Sequence, residues 1–443
     1  SQLIYGNIGI WKRNISNNEF SEFNKGLPNG MDNRNIHTIC KTNQGNIYAG
    51  TLTGFYKFNK NTKTWERVHL PTKEQRVVKI IENDNNIVLL TRNNILITRD
   101  NPYNLQFQIR QLPAPAGYTS KIGLFQTLWQ IHSGEAIGIV GRLFVDILAL
   151  VFIFLTITGL IKWIGPKTYK NLSKAKDKLK ARKIFILKNL VLHNKIGVWF
   201  VAFLAITTLT GMFLRPPLLI FIAETKVPKI KFTAIDQPNP WYDKLRNIIY
   251  DEEKQKYIIA VDDAVYESDV NFNYMKKYPY QPPFSVMGIN VLEQKNNGYY
   301  LVGSFSGLFL WNPDNGIIID YVTGREYIER NISGPPIGAN AVSGYSMDSQ
   351  GKEYYFDYDL GAVPLNSRQF YPRMSGEILQ KSGISLWNTA LEFHTGRIYK
   401  IFLNDFYILL VPFGGLLIIA ILLSGLIVWW KIYKGKEFQL LKK

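Results

Sequence analysis

The chain has 443 residues, a hydrophobic share of 46% and a formal charge of +18. That length accommodates several domains. The apolar residues are too unevenly placed for a soluble protein, and the positive charge is too local for a nucleic-acid-binding one.

Residues 1–125 read as β-rich. Asn46-Ile47-Tyr48-Ala49-Gly50-Thr51-Leu52-Thr53-Gly54-Phe55 is a strand, a Gly-containing turn and the start of a second strand. Weaker versions stand at Leu3–Asn14 and Ile87–Asp100.

A membrane helix is expected over 130–163, because Ile137 to Ile161 holds only Arg142 and Asp146 as charges. The run is long enough to cross a hydrocarbon core of roughly 30 Å at about 1.5 Å per residue. A basic segment, 164–191, follows. From Lys162 to Lys195 there are eleven Lys or Arg against the single acid Asp177, giving +10. A second span lies within 192–222, where Ile196–Leu214 carries no charge.

Residues 223–388 return to the β pattern. Tyr299-Tyr300-Leu301-Val302-Gly303-Ser304-Phe305-Ser306-Gly307-Leu308 repeats the earlier motif, and fainter copies occur at Tyr257–Asp269 and Tyr354–Asn366. Successive copies fall about 40 to 55 residues apart, the spacing of propeller blades. Each hairpin buries its apolar face only by stacking on a neighbour. The expectation is a single propeller-like domain of about six blades made from both segments, the alternative being two separate antiparallel sheets. Tyr278–Pro283 reads as a rigid connector. The third span is expected in 391–430, where Phe406–Trp430 is uncharged, and the tail 431–443 carries five Lys against Glu437, giving +4.

Together the two basic segments hold +14 of the +18. Positive flanks mark the cytoplasmic ends of spans and suit anionic lipid headgroups. The β-rich segments are therefore expected outside the cytoplasm. An outside N-terminus calls for an export element, and Ser1 opens directly into Leu3-Ile4-Tyr5-Gly6; a further upstream segment, such as a fourth helix, is expected. Cys40 is the only cysteine, so no intrachain disulfide forms.

Five histidines are present. His37 and His69 read as surface or satisfied residues of the β region. His132, His193 and His394 all precede spans. His132 lies about 11 residues before its apolar core and His394 about 12 before its own, which sets both imidazoles at one height near the outer interface. Two such imidazoles suit the axial positions of a haem iron, although an interfacial polar anchor reads equally. Arg142 and Arg397 are candidate partners for haem propionates, and Arg142 is alternatively a partner for Asp146 at i,i+4.

At these residues the chain resembles the PepSY-associated transmembrane family, also called iron-regulated membrane proteins. His132 is followed by Gly134, Glu135, Gly138, Gly141 and Arg142; Leu192-His193 precedes Gly197; and Phe393-His394-Thr395-Gly396-Arg397 precedes the third span. The endings Thr158-Gly159-Leu160 and Ser424-Gly425-Leu426 with Trp429-Trp430 are similar too. The resemblance covers the membrane third of the chain. It implies a bacterial inner-membrane protein with four helices and, in some members, b-type haems held by helix-end histidines that pass electrons outward to ferric iron or ferric siderophores. Carried over, His132 and His394 form an outer haem site, and His193 shares an inner site with a histidine of the family's first helix. The family usually carries small α/β modules where this chain carries repeated blades.

The leading expectation is a haem-binding membrane electron carrier that reduces ferric iron outside the cytoplasm. The alternative is a non-catalytic envelope protein whose outer domain binds a protein partner, with the helices as anchor. A nucleophile triad, a phosphate loop and a Cys-type metal cluster are not evident, and three spans with little polarity offer no transport path.

Overall fold

A computed structural model describes residues 2–168, 176–223, 225–285, 288–328, 340–368, 370–371 and 373–434. The chain forms two compact units, Ser1–Thr119 with Pro238–Thr389, and Ser120–Gln237 with Ala390–Lys443.

The first unit is built of small antiparallel meanders, six among the described residues. In chain order their leading strands are Gln2–Gly6, Ile36–Lys41, Val77–Asn83, Leu245–Asp251, Val291–Gln294 and Val342–Met347. Five hydrophobic clusters lie between successive sheets. Ile10 meets Ala49 and Trp65, Tyr48 and Phe55 meet Ile87, Leu90 meets Leu245, Ile249 meets Leu292, and Leu301 meets Val342.

A sheet flanked on both faces needs apolar residues at every position of its inner strands. That is why Val88-Leu89-Leu90 and Tyr257-Ile258-Ile259-Ala260-Val261 run without polar alternation. Leu89 and Leu90 enter different cores, as do Ile258 and Ile259.

The internal repeat is reproduced in register. Gly50 pairs with Phe55 and Gly303 pairs with Leu308. A Cβ on Gly50 would stand 2.6 Å from Val77 Cγ1, and one on Gly303 would stand 2.9 Å from Val291 Cβ. Each glycine thus admits a side chain of a neighbouring strand.

Polar latches recur between sheets. Asn83 Nδ2 donates to Tyr257 Oη at 2.8 Å, and the Tyr300 hydroxyl donates to Asp251. Each tyrosine opens the second strand of its own sheet or stands beside its start, and each Asx ends the first strand of the sheet before. At the next junction Lys295 Nζ pairs with Glu353 at 2.7 Å. The stretch Tyr278–Pro283 is tied down by its own contacts, with Tyr278 buried and Gln281 Nε2 bonded to the Val265 carbonyl at 3.1 Å.

The second unit is helical. Lys121–Gly123 pairs with Lys226–Pro228, joining the two ends of a hairpin. Between them lie α1 (Leu124–His132), α2 (Gly138–Ile164), α3 (Lys176–Phe213) and α4 (Leu218–Ile222). The chain returns through the short α5 (Gly376–Lys381) of the first unit to α6 (Leu386–His394), α7 (Lys400–Leu403) and α8 (Leu410–Val428). Among the described residues three helical stretches, Glu135–Lys167, Asp177–Phe213 and Arg397–Tyr433, are long and apolar enough to cross a membrane.

Three expectations change. Residues 176–191 are not loop but the first turns of α3, because Lys, Leu, Ala and Arg are strong helix formers. Residues 130–163 are not one helix; α1 stops at His132 and α2 restarts at Gly138. Likewise 391–430 is broken at Gly396 and Asn404, whose φ angles of 75° and 48° leave the helical region. The segment 169–175 and the tail 435–443 lie outside the described residues.

Two measurements test the first unit. Gly303→Val should cost about 1–3 kcal/mol by overpacking, read as a lowered thermal midpoint of the full chain in detergent. The Asp262 carboxylate has Oδ1 buried without a partner, and burial, helped by Asp263, raises its pKa to about 6 from 3.8. A folded pKa above the unfolded one means stability is lost as pH rises from about 4 to about 6, by about 3 kcal/mol. Asp262→Asn should flatten that part of the stability profile.

Candidate functional site

The helical unit contains two copies of one element. In the first, nine-residue α1 ends on His132, Gly134 turns left-handed at φ 76° and ψ −1°, and the 3-10 turn Glu135–Ile137 leads to Gly138 at φ 63° and ψ −140°. In the second, nine-residue α6 ends on His394, Gly396 turns left-handed at φ 75° and ψ 2°, and the 3-10 turn Arg397–Tyr399 follows. After α7 the chain breaks at Asn404, φ 48° and ψ −134°, and α8 begins a turn later.

The glycines of the motif each have a physical task. Gly134 and Gly138 hold positive φ, which side chains disfavour. A Cβ on Gly141 would lie 2.0 Å from the Gly134 carbonyl oxygen, so α2 and the turn touch backbone to backbone.

The two elements bring His132 and His394 together, with ring centroids 5.9 Å apart and planes 44° apart. His132 Nδ1 donates to the Thr207 carbonyl at 2.9 Å, with Thr210 Oγ1 at 3.4 Å. Since a carbonyl only accepts, the proton sits on Nδ1 and Nε2 keeps its lone pair. Burial lowers the His132 pKa, a shift the Thr207 bond opposes and His394 reinforces, so the neutral ring is favoured. Gly211 makes room for this ring, as a Cβ there would stand 2.7 Å from His132 Cε1.

His193 stands apart from that pair. Its Nδ1 lies 2.7 Å from Thr158 Oγ1. The Thr158 hydroxyl donates to the Phe154 carbonyl at 2.8 Å, so His193 Nδ1 is again the donor and Nε2 again the open nitrogen. Asn189 Nδ2 adds a bond to the Thr158 carbonyl at 2.9 Å, tying α3 to α2.

The arginines are engaged by glutamates. Arg142 lies 3.6 Å from Glu135 rather than pairing with Asp146, because the turn at Gly138 folds Glu135 back toward it. Arg397 pairs with Glu392. Sequence spacing along one continuous helix missed both partners, since neither histidine sits on its span.

The donor set is a pair of imidazoles, the ligand type that haem iron takes in many proteins. A metal between two imidazoles separates ring centres by roughly 6 Å, two bonds of about 2 Å plus the ring radii. Histidines held through Nδ1 by backbone or hydroxyl acceptors are the usual orientation for ligation through Nε2. Among the described residues no group of three or more His, Cys, Asp or Glu could hold an ion.

Three membrane-length helices and a separate β-rich unit define a helical membrane protein with a large polar domain. Within that class it is similar to the PepSY-associated transmembrane proteins: the family model for the PepSY-associated TM region matches residues 59–262. No curated protein matches the chain. Among solved structures it is similar to the extracellular domain of a hybrid two component system from B. thetaiotaomicron, at 11% identity and a TM-score of 0.39 over 83% of this chain and 31% of that one. It is also similar to PorZ, a surface component of the type-IX secretion system of Porphyromonas gingivalis, at 9% identity and a TM-score of 0.36 over 82% of this chain and 36% of that one. The chain spans about a third of the length of each, and at those scores neither fold nor function transfers.

Thr158→Val removes the acceptor for His193 and should weaken the α2–α3 contact by about 0.6–1.7 kcal/mol. Thr158→Ser should restore it. Unfolding in mixed micelles with a denaturing detergent measures both.

Proposed function

We propose that the chain is an electron carrier of a bacterial inner membrane whose helical unit binds b-type haem. The observation that supports this most is the pair of imidazoles, His132 and His394, delivered at 5.9 Å by two copies of one helix–turn element. A polar anchor has no need of such duplication.

Bound haem would supply one-electron chemistry at its iron. His132 and His394 would hold its iron through their imidazoles. The Thr207 carbonyl keeps the His132 ring in the ligating tautomer, and Gly211 lets that ring lie against α3. Arg142 and Arg397 would serve the propionates by exchanging Glu135 and Glu392 for them. His193, set by Thr158, is the candidate for a second haem, and no second histidine pairs with it among the described residues.

The placement of charge supports an orientation with residues 162–195 and 431–443 in the cytoplasm. The β-rich unit would then be periplasmic, and its six successively packed sheets suit blades of a propeller-like domain. Similarity to the PepSY-associated proteins suggests ferric iron, free or siderophore-bound, as the electron acceptor.

The test is a visible spectrum of protein purified from a haem-supplied host. A Soret band with reducible α and β bands is expected, lost in His132→Ala and in His394→Ala and shifted or weakened in Gly211→Val. A folded wild-type preparation that stays colourless sinks the reading.

A further inference from the structure

The β-rich unit carries a cleft of about 660 Å³ between its third and fourth sheets. That volume is typical of small-molecule sites, but such sites are mostly apolar and this one is not. Amides dominate its wall, supplied by Asn83, Asn86, Asn104, Gln106, Gln108 and Asn271. Asp84, Arg99 and Arg110 are the charged lining residues.

The row of amides comes from strict alternation. In Asn104-Leu105-Gln106-Phe107-Gln108, Leu105 and Phe107 pack on the core between the second and third sheets, and Phe107 stacks edge-on against Phe55 at 5.7 Å. The exposed members, Asn104, Gln106 and Gln108, line the cleft instead. Among the described residues the side chains of Gln106, Gln108 and Asn271 make no hydrogen bond. The matching outer strand of the second sheet shows what an ordinary solvated face looks like in this protein. There Glu66 pairs with Lys57 at 3.3 Å and Asn59 bonds Glu66 at 2.6 Å.

The cleft floor is cross-linked by side chains. Asn83 Nδ2 bonds Tyr257 Oη across the two sheets at 2.8 Å, and Tyr257 stacks on Phe272 at 4.5 Å. The half-buried Ile97 and the exposed Val270 add apolar surface beside the amides.

We propose that this cleft binds a neutral oligosaccharide. A carboxamide accepts through its oxygen and donates through its nitrogen, so one side chain serves two adjacent hydroxyls of a sugar. Apolar patches on the floor match the C–H faces of sugar rings. A strongly anionic ligand would call for more cations than Arg99 and Arg110, and Asp84 opposes it. An extended peptide pairing with the sheet edge at Gln108–Arg110 would use backbone groups and leave the amide side chains idle.

The test uses the full chain in a detergent without a sugar headgroup, titrated calorimetrically with maltotetraose and with the tetramer of N-acetylglucosamine. Saturable binding of at least one is expected. The double variant Gln106→Ala/Gln108→Ala should weaken it at least tenfold with an unchanged thermal midpoint, because both residues are exposed. His132→Ala should leave it unchanged, so failure here is distinct from failure of the haem reading. Binding of neither oligosaccharide, or binding indifferent to the double variant, overturns the proposal.

Discussion

Gly134 and Gly396 sit two residues after the histidines that end α1 and α6, both with φ near +75° and ψ near zero. A residue with a Cβ pays in strain for that conformation, whereas glycine adopts it freely. The turn stops the short helix at the imidazole and starts a new segment in another direction. Without it α1 would run on into α2, and the side chain of residue 132 would lie wherever the rotation of a long helix left it. Because both copies turn alike, the two rings meet. The pairing of His132 with His394, and every role that follows from it, depends on these two backbone positions.

Helix α3 supplies the remaining constraint. It packs on α1, α2, α4 and α8, supplies the polar partner of His132 near its C-terminal end and carries His193 at its middle. Near the end the Thr207 carbonyl holds His132 and Gly211 clears space for it; midway along, His193 projects from α3 to Thr158 on α2. Gly415 of α8 lies so close to Met212 that a Cβ would stand 2.3 Å from Met212 Cγ. Close approach through small residues is how helices associate where lipid supplies no hydrophobic drive. Residues 210–212 therefore serve packing and histidine placement within one helical turn.

Much of this was legible in the chain itself. The Gly50 and Gly303 repeats predict hairpins, and the structure gives both the same register. Similar offsets of His132 and His394 from their apolar runs predict one height, and the rings lie together. The means were not legible. Offsets presume one continuous helix, while the chain reaches the same pairing through a left-handed glycine, a 3-10 turn and a restart. Glycine spacing in the motif could have signalled this, since three glycines in eight residues are poor helix formers. Glu135 and Glu392 as arginine partners follow from that folding back and carry no local signal. The amide row is different. Asn104, Gln106 and Gln108 stand in plain alternation, but their meaning emerges only when Leu105 and Phe107 are seen to claim the opposite face.

The two units handle polar groups by opposite rules. In the helical unit an unbonded polar atom is costly, because lipid offers it no partner. The side chains of Thr158, Asn189 and Thr210 accordingly donate to backbone carbonyls, and the Thr207 carbonyl accepts from His132. The second nitrogen of His132 and of His193 stays open, as do the buried Gln126 Nε2 and Gln130 Oε1 on α1. In the β-rich unit water can satisfy any group, and open amides cost little by themselves. There the informative feature is position, a row of uncharged donors and acceptors gathered over a stacked Tyr257–Phe272 floor instead of dispersed among ion pairs. An open nitrogen in the helical unit and an open amide in a wall of amides thus stand out for different reasons, one because vacancy is expensive and the other because it is organised.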